Sequence, residues 1–210
     1  TGTGVNITAS ATTGINGGNG WQTTDVGRII KFNSGEAKIT ARTNTTVVVC
    51  TITDAFANTD ATASFQLGSF SDTTGHPSCV SFFEQRLVFA GTTDEPQTLY
   101  FSKSGDYENM TTGTNADDAM VYTIASNQVN KIRYLKSVRT LLIGTTGGEF
   151  SVSADGTDAA VTPTNITIKR QSSFGAANVD AQPAGNAVLF LQRAKRKIRE
   201  LAYNFDADGY

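Results

Sequence analysis

From residue 79 onward the chain alternates short apolar runs with polar breaks. Residues 79–83 (CVSFF) and 87–90 (LVFA) flank a break at 84–86, and 99–102 (LYFS) follows the turn-rich stretch 91–96. Short β-branched and aromatic runs separated by Gly, Pro, Asp and Thr predict an antiparallel meander. The same turn–strand–turn–strand outline returns twice more. Runs centred on Val88, Leu142 and Leu189 lie roughly 50 residues apart. Each follows a polar turn (84–86, 137–139, 183–186) and precedes another turn and a return strand (98–102, 149–153, 197–203). Outer strands are expected at 120–124 and 166–170. Repeats of this length, each with several short strands, are the pattern of β-propeller blades, because one sheet cannot bury both its faces unless neighbours stack on it. Three blades do not close a ring. The expectation is therefore a partial β-propeller that belongs to a longer chain.

Upstream the pattern is shorter and more polar. Residues 1–20 are rich in Thr, Gly and Asn, with Val5, Ile7 and Ile15 as apolar anchors, and read as an edge strand with a loop or as an arm. Strands are expected at 28–32, 36–42 and 46–52, joined by Asn33-Ser34-Gly35 and by Asn44-Thr45. Ile39 and Ala41 alternate with Lys38, Thr40 and Arg42, the period of two of a half-buried strand. A last strand at 63–67 leads into a linker at 68–75. The expected domains are a small barrel-like β module at 1–74 and propeller blades at 75–210.

Composition supports the all-β class. Of 210 residues only 17% are charged, 20 are Gly, and strong helix formers cluster nowhere. A net charge of −2 argues against a chain that is cationic throughout and binds nucleic acid by bulk charge. Cys50 and Cys79 each sit in an apolar run and read as buried free thiols. The longest apolar runs fall far short of the ~20 residues that cross a bilayer, so no membrane insertion is expected.

Candidate chemistry is sparse. His76 is the only histidine and precedes Pro77, so any triad or histidine–metal mechanism must pass through it. Residues 144–148 (GTTGG) join two strands and lack the Lys-Thr or Lys-Ser of a phosphate loop, so they read as a hairpin that needs positive φ. Residues 155–158 (DGTD) and 206–209 (DADG) hint at calcium loops but do not continue to a distal Glu, so they read as turns. No catalytic, cofactor or metal residue is assigned, and an enzyme is not expected. The one functional candidate is Arg193, Lys195, Arg196, Lys197 and Arg199, five cations within seven residues on a predicted hairpin. They suit a contact with an acidic neighbouring subunit or with DNA phosphates.

The segment FFEQRLVFAGT, followed by PQTLYFSKSGDYENM, resembles tail tubular or nozzle proteins of short-tailed phages. The likeness extends to VSADGT and VTPTNITIKRQSSFG and to VLFLQRAKRKIRELAYNFDADGY. It implies a structural virion protein, assembled in the host cytoplasm as a homo-oligomeric ring. The ring would contact neighbouring tail and adaptor proteins and form the conduit through which genomic DNA passes without specific binding. The alternative is a receptor- or carbohydrate-binding propeller on the tail. The N-terminal module resembles the first catalytic-cysteine half-domain of ubiquitin-activating enzymes. Its one thiol, Cys50, lies inside a strand, so no such chemistry is carried over.

Overall fold

Asn33 and Ser34 both take positive φ, 44° and 59°. That is the backbone of a two-residue hairpin turn whose twist matches the strands it joins. It connects β2 (Ile29–Phe32) to β3 (Gly35–Arg42). The Asn44 Oδ1 then accepts the backbone N–H groups of Thr46 and Val47, both at 2.9 Å, and turns β3 into β4 (Val47–Asp54). With β1 (Val5–Thr8) and β5 (Gln66–Leu67) these make a five-stranded antiparallel sheet in the order β1-β4-β3-β2-β5. Bulges at Glu36/Ala37 and Ile39/Ala41 bend β3. One core of Ile15, Trp21, Ile30, Ala37, Ile39, Val48 and Cys50 fills its inner face. β5 is shorter than the expected strand at 63–67. The Ser64 N–H bonds back to the Thr62 hydroxyl at 3.0 Å, a local bond that competes with the sheet.

The computed structural model describes residues 2–126, 129–156 and 159–203. It divides into two compact units, Thr1–His76 and Pro77–Tyr210. Among the described residues the chain is all-β, with four antiparallel sheets, one in the first unit and three in the second. No helix among them is long and apolar enough to cross a membrane.

In the second unit the sheets follow one another in sequence. The first holds β6 (Cys79–Phe83), β7 (Arg86–Ala90), β8 (Thr98–Phe101) and β9 (Met120–Thr123). The second holds β10 (Ile132–Ser137), β11 (Leu141–Thr145), β12 (Gly148–Ser153) and β13 (Thr167–Ser172). The third holds β14 (Gln182–Ala184), β15 (Ala187–Leu191) and β16 (Ile198–Ala202). Within each sheet the strands lie in chain order, so the runs around Val88, Leu142 and Leu189 are all second strands. Two expected turns begin later than expected: Pro183 and Ala184 belong to β14 and the chain turns at 185–186, and Ser137 ends β10 before the bend at 138–140. Arg86, read as part of a polar break, opens β7 and is 2% exposed.

Side chains decide how the sheets meet. Val88, Ala90, Leu99 and Phe101 of the first sheet share a core with Leu135, Leu141, Ile143, Phe150 and Val152 of the second. The other face of the second sheet, with Tyr134 and Leu142, packs on Val188, Phe190 and Leu201 of the third. The second sheet is thus covered on both faces, and β11 is buried along its whole length. At about 1.5–3 kcal/mol per buried aliphatic or aromatic side chain, these two layers dominate the unit's stability. The connections from second to third strand gather at one end of the stack. The Ile132 N–H donates to the Pro96 carbonyl (2.9 Å), Thr146 N–H to Lys131 (3.0 Å), and Arg193 N–H to Gly175 (2.8 Å). Across the sheets, Arg193 Nη1 donates to the Thr146 carbonyl at 3.1 Å.

Candidate functional site

The basic turn joins β15 to β16. Gln192 N–H donates to the Lys197 carbonyl (2.9 Å) and Lys195 N–H to the Gln192 carbonyl (2.7 Å), with Lys195 held at φ 57°. This tight closure drives the intervening side chains outward, and Arg193, Lys195, Arg196 and Lys197 are all exposed. Arg193 is tied to the second sheet through Thr146. Arg199, half-buried, donates from Nε to Gln192 Oε1 at 3.1 Å and lays its guanidinium 4.0 Å from the ring centre of Phe174. Such a stack holds the cation in place and also shields the ring.

The outer two arginines are therefore anchored, whereas Lys195, Arg196 and Lys197 project freely. Among the described residues none of the five forms an ion pair with a carboxylate. Arg170 adds a sixth cation beside them. It donates to the Gly147 carbonyl (2.9 Å), on the hairpin whose Thr146 holds Arg193. Sequence spacing alone does not bring Arg170 to this place; the stacking of the third sheet on the second does.

The other candidates resolve as follows. His76 lies in the first unit and among the described residues pairs only with the exposed Asp72, Nε2 to Oδ1 at 3.1 Å. The Ser71 hydroxyl is engaged by the N–H groups of Thr73 and Thr74, so it does not face the imidazole as a nucleophile would. Asp155 accepts the Thr167 hydroxyl (2.9 Å) and its N–H reaches Asn165, which is turn chemistry. Residues 157–158 and 206–209 lie outside the described residues. No group of three or more metal-ligating side chains occurs among those described. A cleft of about 500 Å³ lined by Ser126, Asn130, Phe150, Ile168 and Arg170 supplies a cation but no carboxylate pair.

Residues 144–148 carry a correction. The hairpin does not use positive φ at its glycines. Glycine is needed there for space: a Cβ on Gly144 would fall within the Tyr134 ring, and one on Gly147 would strike the Asn130 amide. Cys50 and Cys79 are both free and buried, and desolvation pushes the Cys50 thiol up to about 11.

Two buried polar groups escape sequence reasoning. Arg86 donates to the carbonyls of Ser102 (2.8 Å), Ala116 (2.6 Å) and Asp118 (2.7 Å), and so ties the long β8–β9 connection to the head of β7. Glu149, fully buried, accepts the Ser172 hydroxyl, while its Oε1 and the Tyr134 hydroxyl have no partner among the described residues. Burial pushes the Glu149 carboxyl above its ordinary 4.5, with the Ser172 hydroxyl and the Phe174 and Gly175 amides acting against that rise. Burial, then the Glu149 charge, raises the Tyr134 phenol.

No family model matches the sequence, and no curated protein matches it.

Proposed function

We propose that the chain is a structural subunit of a phage tail. In this reading the second unit is three blades of a β-propeller, and the first is a small barrel-like module curled by the two bulges of β3. What supports it most is the stack of three consecutive sheets with equivalent strand order. Such a body is rigid and keeps its sheet edges short, properties that suit a wall rather than a catalyst. The likeness of segments that cover most of residues 79–210 to tail tubular and nozzle proteins supplies the tail assignment. The basic turn then serves assembly with a neighbouring subunit or adaptor, in a virion built in the host cytoplasm.

Among the exposed aromatic residues of the second unit, Phe82 and Tyr107 meet edge to face at 5.1 Å on the first sheet, while Phe174 lies apart in the link before the third sheet, under Arg199. A carbohydrate-reading propeller would gather such rings on one surface. Negative-stain images of the protein mixed with the adjacent tail and adaptor proteins test the proposal. Rings seated beneath the adaptor are expected; a protein that never joins the tail assembly overturns it.

A further inference from the structure

The first two sheets each carry a fourth strand, β9 against β8 and β13 against β12, both antiparallel. The third sheet has three strands among the described residues, so β16 holds the place of β8 and β12 but forms an edge. Hydrogen bonds fix which way its backbone points. Gln192 N–H donates to the Lys197 carbonyl, while the Leu191 carbonyl turns to the other side and accepts the Ala177 N–H at 2.8 Å. Bonded and non-bonded pairs alternate from there along the antiparallel ladder. Arg199 and Leu201 therefore bond to β15, and Ile198, Glu200 and Ala202 direct N–H and C=O away from it. Among the described residues no backbone group pairs with those three, and all three are exposed. In the first two sheets the corresponding groups are taken up by β9 and β13.

An edge with unpaired ladder groups is a template for another extended segment. Charge decides which segment fits. The basic turn opens β16, and Lys195, Arg196 and Lys197 form no ion pair among the described residues. Cations on an edge repel another basic strand and favour an acidic one. Glu200 lies further along the strand, so acidic residues are accepted beside the turn and refused beyond it. Ile198, 73% exposed, offers an apolar neighbour between the two. A strand added in the sense of β9 and β13 runs antiparallel to β16 and ends beside the turn. We propose that β16 is a strand-addition site: an extended segment of a neighbouring chain, apolar and then acidic towards its end, becomes the fourth strand of the third sheet, with its carboxylates against Lys195, Arg196 and Lys197.

This rests on the assembly role given to the basic turn and names the partner's chemistry. Its test needs no tail protein, so either experiment can fail alone. Fluorescence anisotropy reads the binding of two labelled peptides, TVTVTDEE and its basic counterpart TVTVTKKK. The acidic peptide should bind at least roughly tenfold more tightly, and less so at high salt. Amide hydrogen exchange should show Ile198, Glu200 and Ala202 newly protected when it binds. Glu200→Pro removes one outward N–H and leaves the bonds to β15 untouched, a place where an edge strand tolerates proline. It should weaken the acidic peptide at least roughly tenfold. Replacing Lys195, Arg196 and Lys197 by Ser should abolish the preference for the acidic peptide. Equal binding of both peptides, or binding of neither, overturns the proposal. So does binding that Glu200→Pro leaves unchanged, which is charge capture without a strand. So does duplex DNA bound in place of the peptide, or self-association that Glu200→Pro abolishes while no peptide binds, which would give the edge to a second copy. Should a thermal melt show that Glu200→Pro disturbs folding, the acidic peptide N-methylated at alternate residues must lose binding instead.

Discussion

β7 and β11 hold the same place in consecutive sheets, yet one alternates buried and half-buried positions while the other is buried throughout. Composition does not explain this, since RLVFA and LLIGT are both strand-forming runs with one apolar stripe on each face. Layer position does. The second sheet has a neighbour on both sides, so its period of two vanishes from the burial pattern although it persists in the side-chain directions. Leu141 and Ile143 meet the first sheet and Leu142 the third. In such a stack, a polar atom on a central strand is sealed by the next layer, which is how Glu149 and Tyr134 come to be buried.

The comparison breaks most sharply at Leu142. Leu142→Asp puts a carboxylate where the third sheet excludes water, and the second unit should lose several kcal/mol and unfold. Val80→Asp makes the same chemical change in the same unit, at a side chain that is 58% exposed, and should cost no more than about 0.5 kcal/mol. Denaturant unfolding of both variants checks this; equal losses would mean that the layers do not seal the second sheet as described.

The second comparison concerns Gly144 and Ala90. Ala90 pairs with Cys79, whereas Gly144 pairs with Tyr134, whose ring covers it. Gly144→Ala should cost about 1–3 kcal/mol through overpacking. Combined with Tyr134→Leu, much of that cost should disappear, giving a coupling energy that a double-mutant cycle can read.

What the sequence disclosed follows from the same physics. The second strand of every sheet stood out because each is a near-continuous apolar run bounded by turns, and so did the return strands β8, β12 and β16. β10 did not. Its Arg133 and Lys136 interrupt the buried Ile132, Tyr134 and Leu135, and the bulge between Ile132 and Tyr134 spoils the alternation. β14 is three exposed residues including Pro183, an edge strand with the composition of a turn. Arg86 and Glu149 were legible only as charged residues near breaks; their burial depends on the β8–β9 connection and on the third sheet, elements far away in sequence. The basic turn was legible in full because local spacing makes it. The register that puts its Leu191–Ile198 neighbours on an open face was not.

Glu149 offers a smaller, pH-dependent contrast. Its folded carboxyl titrates above its ordinary 4.5 because burial disfavours the charge. The folded state therefore holds the proton more tightly than the unfolded chain does. The resulting stabilisation is fully present below the ordinary value and is lost as pH rises through the raised one. Glu149→Gln should remove this dependence, so that the variant gains on the parent from about pH 4 upward. Glu200→Gln, on the uncovered face of the third sheet, should stay within about 0.5 kcal/mol of the parent. Unfolding midpoints across pH check both, and parallel curves for Glu149→Gln and the parent would mean that the carboxyl is not sealed.

The smallest effect belongs to the basic turn itself. Lys195, Arg196 and Lys197 are adjacent, exposed and without carboxylate partners among the described residues, so in the isolated chain they repel one another and contribute no packing. Replacing all three by Ser should leave the fold intact and, in dilute monomer at low salt, raise stability by a few tenths of a kcal/mol. Salt distinguishes this repulsion from an accidental gain. Screening should stabilise the parent and leave the variant almost unchanged, so the two curves converge as ionic strength rises. Had the turn been held by hidden ion pairs, the sign would reverse: the variant would be less stable than the parent, and salt would weaken the parent. A destabilised variant in dilute solution would therefore show that these cations hold their own chain together and are not left free for a neighbour.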